Sequence, residues 1–402
     1  MAVWRSGSHG LKRQSLACIA LLLGALQVSA WTQQDASPIA AVAAPLTLSS
    51  PLDYQVFQRE TRTKGKIVVV GRAYLEADTA EARVTGTSIL SHPLKGKWQR
   101  LSFDRSTQNF YGDLRTTAGG FYQVEIKLHN RTSLVADYMV RHVGVGEVFV
   151  VAGQSNATNY GEVRQKTQTR MVVSFDGLTW AIADDPQPGV QDHSTKGSFI
   201  PAFGDALYGK YHVPIGIADV GHGSTSVRQW LPKGEPVLVP PTMSKFVERD
   251  ATGTLVSDGR LFAGMMTRID QLGKDGFRAL LWHQGESDAN QQPDHQISAQ
   301  EYQAMQERII RASRAQAGWD FPWFIAEATY HTPQDPSCEP IRAAQRELWR
   351  KGIALEGPDT DTLTAAYRQN QGKGVHFNDA GLKEHGNLWA ESVEAYLDGL
   401  LR

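Results

Sequence analysis

Read for its apolar and polar positions, the chain changes character near residue 146. From Leu46 to about Val145 the apolar residues fall in short runs separated by turn residues. Strand candidates are Lys66 to Ala73, Ala82 to Gly86, Trp98 to Phe103, Gly120 to Leu128 and Ser133 to His142. The stretch from Gly120 to Leu128 alternates apolar and polar, the pattern of a half-buried strand. No convincing helix interrupts this region, which predicts an antiparallel β-sandwich over 46–145.

Beyond Gly146 the period switches. Val148 to Ala152 is an almost unbroken apolar run rich in β-branched residues, as in a strand buried on both faces. Further strands are expected at Val213 to Val220, Phe277 to Trp282 and Pro322 to Ala328. Helices are expected at Pro201 to Lys210, Leu261 to Leu272, Glu301 to Gln316, Arg342 to Lys351 and Gly381 to Leu401. In Glu301 to Gln316, Tyr302, Met305, Ile309 and Ala312 share one face. Repeated β-α-β units imply an α/β fold, a parallel sheet covered on both sides. Gly161 to Phe199, rich in Gln, Asp, Pro and Gly, reads as a long irregular insertion of the kind that lies over a site.

The first 45 residues carry a different pattern. Arg5, Lys12 and Arg13 form a basic stretch, Leu16 to Val28 an apolar run, and Val28-Ser29-Ala30 a small-x-small cleavage site. A signal peptide over 1–30, a linker over 31–45 and a secreted or periplasmic mature protein are the expectation; the apolar run falls short of the ~20 residues of a membrane span. Composition narrows the function further. A net charge of −1 without a basic block speaks against nucleic acid, and two cysteines exclude a disulfide framework and a thiolate metal site. None of the twelve histidines has a zinc-binding spacing, so neither metal nor cofactor is expected.

Four polar blocks punctuate the second half, each at a predicted strand end or helix start: Gly153-Gln154-Ser155-Asn156, Gly221-His222-Gly223-Ser224-Thr225, His283-Gln284-Gly285-Glu286-Ser287-Asp288 and Val375-His376-Phe377-Asn378. Singly, each has a bland explanation: Ser155 as a helix cap, the glycines as a turn, His376 as a core residue. Together they offer a hydroxyl, an imidazole, a carboxylate and glycines that let backbone N–H groups approach an oxyanion. That is the equipment of acyl transfer. The order Ser155, Glu286, His376 also suits an α/β-hydrolase, but the serine follows G-x-S-x-A, not G-x-S-x-G, and the glycine block comes after it.

On these motifs, with Trp230 after the second, residues 146–402 resemble the sialate O-acetylesterase-type carbohydrate esterases of the SGNH hydrolase superfamily. The region before them resembles a β-sandwich often fused ahead of that domain. The resemblance implies a three-layer parallel sheet flanked by helices, with Ser155 as nucleophile and His376 as general base. It also implies an oxyanion hole made by the Ser155 and Gly223 amides and the Gln284 side chain. One position departs from the superfamily. Lys373 stands where D-x-x-H would place an acid, so Glu286 inherits that role, with Asp288, Asp359 and Asp361 as reserves. The implied reaction is removal of acetyl groups from an acetylated carbohydrate such as sialic acid or a plant or bacterial glycan. The alternative is a carbohydrate-binding protein on an esterase scaffold that lost activity with the acid. The sequon at Asn156 reads as a chance match beside the nucleophile, whereas Asn130-Arg131-Thr132 is the more plausible acceptor.

Overall fold

One strand of 21 residues, Ser133–Gly153, carries the arrangement. The computed structural model describes residues 44–87 and 93–401; the expected signal peptide, Cys18 and nearly all of the expected linker lie outside the described residues. The first part of the strand pairs antiparallel with Gly119–Asn130. Its last part lies between two parallel neighbours, Ile215–Asp219 and Ala279–His283. The change of pattern at Gly146 therefore falls inside one continuous strand. The glycines there reflect a crossing, not an ending: a Cβ on Gly146 would lie 1.8 Å from the Pro214 carbonyl oxygen.

Before residue 146 the strands run Leu46–Ser50, Lys64–Ala73, Asn109–Thr117, Gln99–Asp104, Thr79–Thr87, Gly119–Asn130 and then the long strand, each antiparallel to its neighbour. The sequence pattern does not announce Asn109–Thr117. Its inward positions are Phe110, Gly112 and Leu114, and the middle one is empty because Leu101 packs there, 2.7 Å from where a Cβ would be.

After residue 146 the parallel order is Val172–Phe175, Ile215–Asp219, the end of the long strand, Ala279–His283, Trp323–Glu327 and Leu355–Asp359. Successive residues of the long strand feed opposite cores. Phe149 and Val151 join a core with Phe203 and Leu207 of helix Ile200–Tyr211 and with Trp389 and Val393 of helix Asp379–Leu400. Val148 and Val150 face Phe262, Met265, Ile309 and Leu348 of helices Arg260–Leu272, Ala299–Ala317 and Glu339–Arg350. Helices thus cover both faces of the parallel sheet, as the unbroken apolar runs require. The strand Leu355–Asp359, sequence L-E-G-P-D, is an edge strand whose glycine and proline hide it from any pattern.

A buried ion cluster ties the two parts together. Glu147, with no exposed surface, accepts from Arg59 Nε (2.6 Å), Arg278 Nε (2.7 Å) and Gln58 Nε2 (2.9 Å). The order of the parallel strands matters most for function. From the long strand the chain first builds neighbours on one side, then crosses to Ala279–His283 on the other, so a switch point opens at Gly153, where open sheets hold their ligands.

Candidate active site

The long strand ends at Gly153, whose φ of +128° and lack of a Cβ are both required. A side chain there would lie 2.0 Å from the His283 carbonyl oxygen. The Gln154 N–H then donates to that same oxygen (2.8 Å), and the chain turns into the short 3-10 segment Ser155–Ala157. Ser155 is thereby set at the mouth of the switch point, in the wall of a pocket of about 250 Å³. His376 and Glu286 line the same pocket, with Gln154, Ser224, Thr242, Met243, Ser287, Asn290, Gln291, His331 and Val375. Ser155 and His376, 221 positions apart in the chain, meet here because strand ends and the start of the last helix converge.

Glu286 opens a short helix, Glu286–Ala289, directly after its strand. Its Oε1 accepts from Asn156 Nδ2 (2.8 Å) and lies 2.9 Å from His283 Nε2. Oε2 is buried without a hydrogen-bond partner. Burial opposes the charge, but His283 and Asn156 outweigh it and hold the carboxyl below the ordinary glutamate range. His283 continues inward: its Nδ1 lies 3.1 Å from His385 Nε2, which also receives the Trp389 indole N–H at 3.0 Å. Asn156, half of a formal sequon, is buried and engaged with Glu286.

His376 makes no hydrogen bond to Glu286. Its Nδ1 faces Gln369 Nε2 at 2.9 Å instead, and the Tyr160 ring lies against it with centroids 5.1 Å apart. Burial pulls its pKa down to about 4; the Glu286 charge pulls back, while Arg368 and Lys196 push further down. The imidazole is therefore a neutral base over the ordinary pH range. Arg368 sits beneath the loop, donating to the carbonyls of Leu363 (2.6 Å), Val375 (2.7 Å) and Thr360 (2.9 Å), its guanidinium 4.0 Å from the centres of both the Tyr330 and Phe377 rings. No hydrogen bond joins Ser155 Oγ to His376 in this resting arrangement, and such bonds often tighten only around substrate.

The expected oxyanion donors divide. The Ser155 N–H has no acceptor among the described residues. The Gly223 N–H donates to Asp192 Oδ2 at 2.7 Å, with the Tyr160 ring packed where a Cβ would be. Gln284 lies one layer behind the pocket wall. Its amide donates to Asp288 Oδ2 (2.7 Å) and the Thr225 carbonyl (3.0 Å) and accepts from the Tyr302 hydroxyl (3.0 Å), so both of its N–H groups are committed to the scaffold. Gln154, which the sequence did not single out as a donor, lines the pocket itself. Its Oε1 is anchored by the Ser287 N–H at 3.0 Å, which leaves its amide N–H groups for the cavity.

The reserve carboxylates are occupied. Asp288 accepts from Ser226 Oγ (2.6 Å) and the Val227 N–H (2.8 Å), holding the 221–226 turn in place. Asp359 and Asp361 both bind Arg342, at 2.8 Å each. Lys373 is exposed at the end of the turn Gln369–Gly372. The 161–199 insertion supplies none of the pocket lining; it braces the glycine turn from behind through Asp192 and through Gln191, whose N–H donates to the Gly221 carbonyl at 2.8 Å. The rest of the wall comes from Thr242, Met243, Asn290, Gln291 and His331, none of which carried a motif. No lysine or arginine lines the pocket, and the described residues hold no cluster of three or more His, Cys, Asp or Glu side chains able to bind a metal ion.

The model of a family described as carbohydrate esterase, sialic acid-specific acetylesterase matches residues 145–395. Comparison with curated proteins finds no match. Among solved structures, a carbohydrate acetylesterase from Xanthomonas citri superposes with a TM-score of 0.55 at 16% identity, over 88% of this chain and 76% of that one. A protein from Arabidopsis thaliana gives 0.44 at 18% identity, over 62% of this chain and 98% of that one. A carbohydrate esterase family 2 enzyme with a carbohydrate-binding domain, from Corynascus thermopiles, gives 0.35 at 11% identity, over 88% and 99%. At these identities the first shares the fold, and the other two decide nothing.

Proposed function

Because the chain belongs to the carbohydrate esterase family of sialic acid-specific acetylesterases, we propose that it is a serine esterase that removes O-acetyl groups from a carbohydrate through an acyl-enzyme. The observation that carries this reading is that Ser155, His376 and Glu286 line one pocket at the sheet's switch point. The arrangement is of SGNH-hydrolase type.

His376, neutral through burial, takes the proton of Ser155 as Oγ attacks the acetyl carbonyl. The tetrahedral oxyanion is met by the Ser155 N–H and by the Gln154 amide, whose own oxygen is pinned. Gly223 joins them only if its N–H leaves Asp192, and Gln284 serves by fixing Gln154 and Asp288. The imidazolium then returns its proton to the departing sugar hydroxyl, and water repeats the sequence on the acetyl-serine. Glu286 stabilises the imidazolium through space, as its upward pull on His376 indicates. Thr242, Ser287, Asn290 and Gln291 give the rim the hydroxyl and amide groups that pair with sugar hydroxyls.

One feature favours a second reading, a carbohydrate-binding protein with impaired chemistry: no carboxylate is hydrogen-bonded to His376. Acetate release from a panel of acetylated sugars, sialic acid and xylan included, separates the two. The esterase reading expects release that is lost in Ser155→Ala; no release from any acetyl ester by the wild type favours the binding protein. From the basic and apolar runs ending at Ala30 we further propose export, with a mature chain beginning near Trp31. Its intact mass after secretion checks this.

A further inference from the structure

We propose that Gln369 is the residue that positions His376, so that a neutral amide occupies the place next to the ring where a triad acid would stand. The inference rests on the esterase reading above. Gln369 Nε2 lies 2.9 Å from His376 Nδ1. The two residues are also clamped through their backbones, the Gln369 N–H donating to the His376 carbonyl at 2.9 Å and the Gln369 carbonyl accepting from the Gly374 N–H at 3.1 Å. The neighbouring pair, Arg368 and Phe377, forms an antiparallel bridge.

The turn between them is built around this side chain. Asn370 and Gln371 both adopt left-handed φ, at 53° and 59°, a conformation that costs non-glycine residues free energy. Gly374 has no side chain where one would collide with Gln369: its Cβ would lie 2.5 Å from Gln369 Cγ. The usual acid position, Lys373, points into solvent from the same turn.

An amide does here what a carboxylate does, without its charge. With the amide N–H toward Nδ1, the neutral ring carries its proton on Nε2 and cannot accept one from Ser155. Turned through 180°, the isosteric amide presents Oε1, accepts the Nδ1–H and leaves the Nε2 lone pair for the serine. The second orientation is the productive one. The ionisable and charged groups around the ring are Glu286, Arg368, Lys196 and Tyr160. Among them Glu286 alone favours the imidazolium, and it acts from a distance.

The test compares Gln369→Leu and Gln369→Glu in the full-length protein, by kcat, KM and the pH profile on p-nitrophenyl acetate. Gln369→Leu is expected to lower kcat roughly 10- to 10³-fold with little change in KM, since it removes orientation and not binding. Gln369→Glu places a carboxylate on Nδ1 and is expected to move the acid limb of kcat/KM upward by at least one pH unit. A merely structural role would not move that limb. Near-wild-type kcat in Gln369→Leu, or an unshifted limb in Gln369→Glu, overturns the proposal. If Gln369→Leu fails to fold, the nearly isosteric Gln369→Glu still decides it. Should Ser155→Ala retain the wild-type rate, the esterase reading itself has failed, which is a different result.

Discussion

A histidine is useful as a base only where its neutral form survives, and His376 is kept neutral by its surroundings more than by any partner. Burial, with Arg368 and Lys196, pulls its pKa down to about 4 against the opposing charge of Glu286. The reactive form is the unprotonated ring, so activity is present above the folded-state pKa and is lost as pH falls through it. The acid limb of kcat/KM is expected near pH 4, well below the ordinary histidine value of about 6.5. A pH–rate profile from 3 to 8 checks it, and a limb at or above 6 would mean that the ring is better solvated, or better paired with Glu286, than described. At this scale the sequence marked three side chains that the structure brings to one pocket, and left their pairing unmarked. Ser155, Glu286 and His376 stand in motifs, but Gln369 precedes its histidine by seven residues across a turn that no local pattern marks. Glu286 spends one oxygen on Asn156 and His283, a choice made by tertiary packing.

Elements deliver these groups through their ends. The strand that ends at Gly153 can turn there because nothing projects toward His283, and the same contact fixes the spacing between the Ser155 and Glu286 blocks. Gly153→Ala would place a Cβ against the His283 carbonyl in a left-handed backbone. It should destabilise the protein by at least about 1–3 kcal/mol from backbone strain alone and displace Ser155. Chemical unfolding together with esterase rate checks this; a stable, fully active variant would refute the role of that turn. The elements were legible wherever an apolar period was uninterrupted. The parallel strands at 215–219, 279–283 and 323–327 and the five long helices of the second half lie where the pattern put them, within a few residues at their ends. Asn109–Thr117 and Leu355–Asp359 were hidden, one because Gly112 empties an inward position, the other because glycine and proline interrupt an edge strand.

Across the whole molecule, one strand belongs to both the antiparallel and the parallel pairings, and Glu147 sits on it at the crossing. The carboxylate is buried with Arg59, whose side chain is also buried, and with Arg278. Glu147→Gln would leave those cations short of a counter-charge and is expected to cost on the order of 3–5 kcal/mol. Urea unfolding measures it. A loss below about 1 kcal/mol, or two separate transitions in the wild type, would show that the 46–145 and 146–402 regions do not depend on this link. The irregular 161–199 insertion illustrates why large-scale inference from sequence falls short. Its composition suggested a segment lying over the site, yet it buttresses the glycine turn, and part of the pocket wall comes from Thr242, Met243, Asn290, Gln291 and His331, which no motif marks.

If an acetyl group passes through Ser155, the acyl-enzyme itself is the most direct thing to measure. Protein mixed with excess p-nitrophenyl acetate and quenched within a turnover is digested and its peptides weighed. One acetyl group on the peptide containing Ser155, absent in Ser155→Ala together with a fall in turnover of about 10⁴- to 10⁶-fold, is the expected result. An acetyl group on another residue, or a folded Ser155→Ala variant that keeps a tenth of the rate, would contradict it.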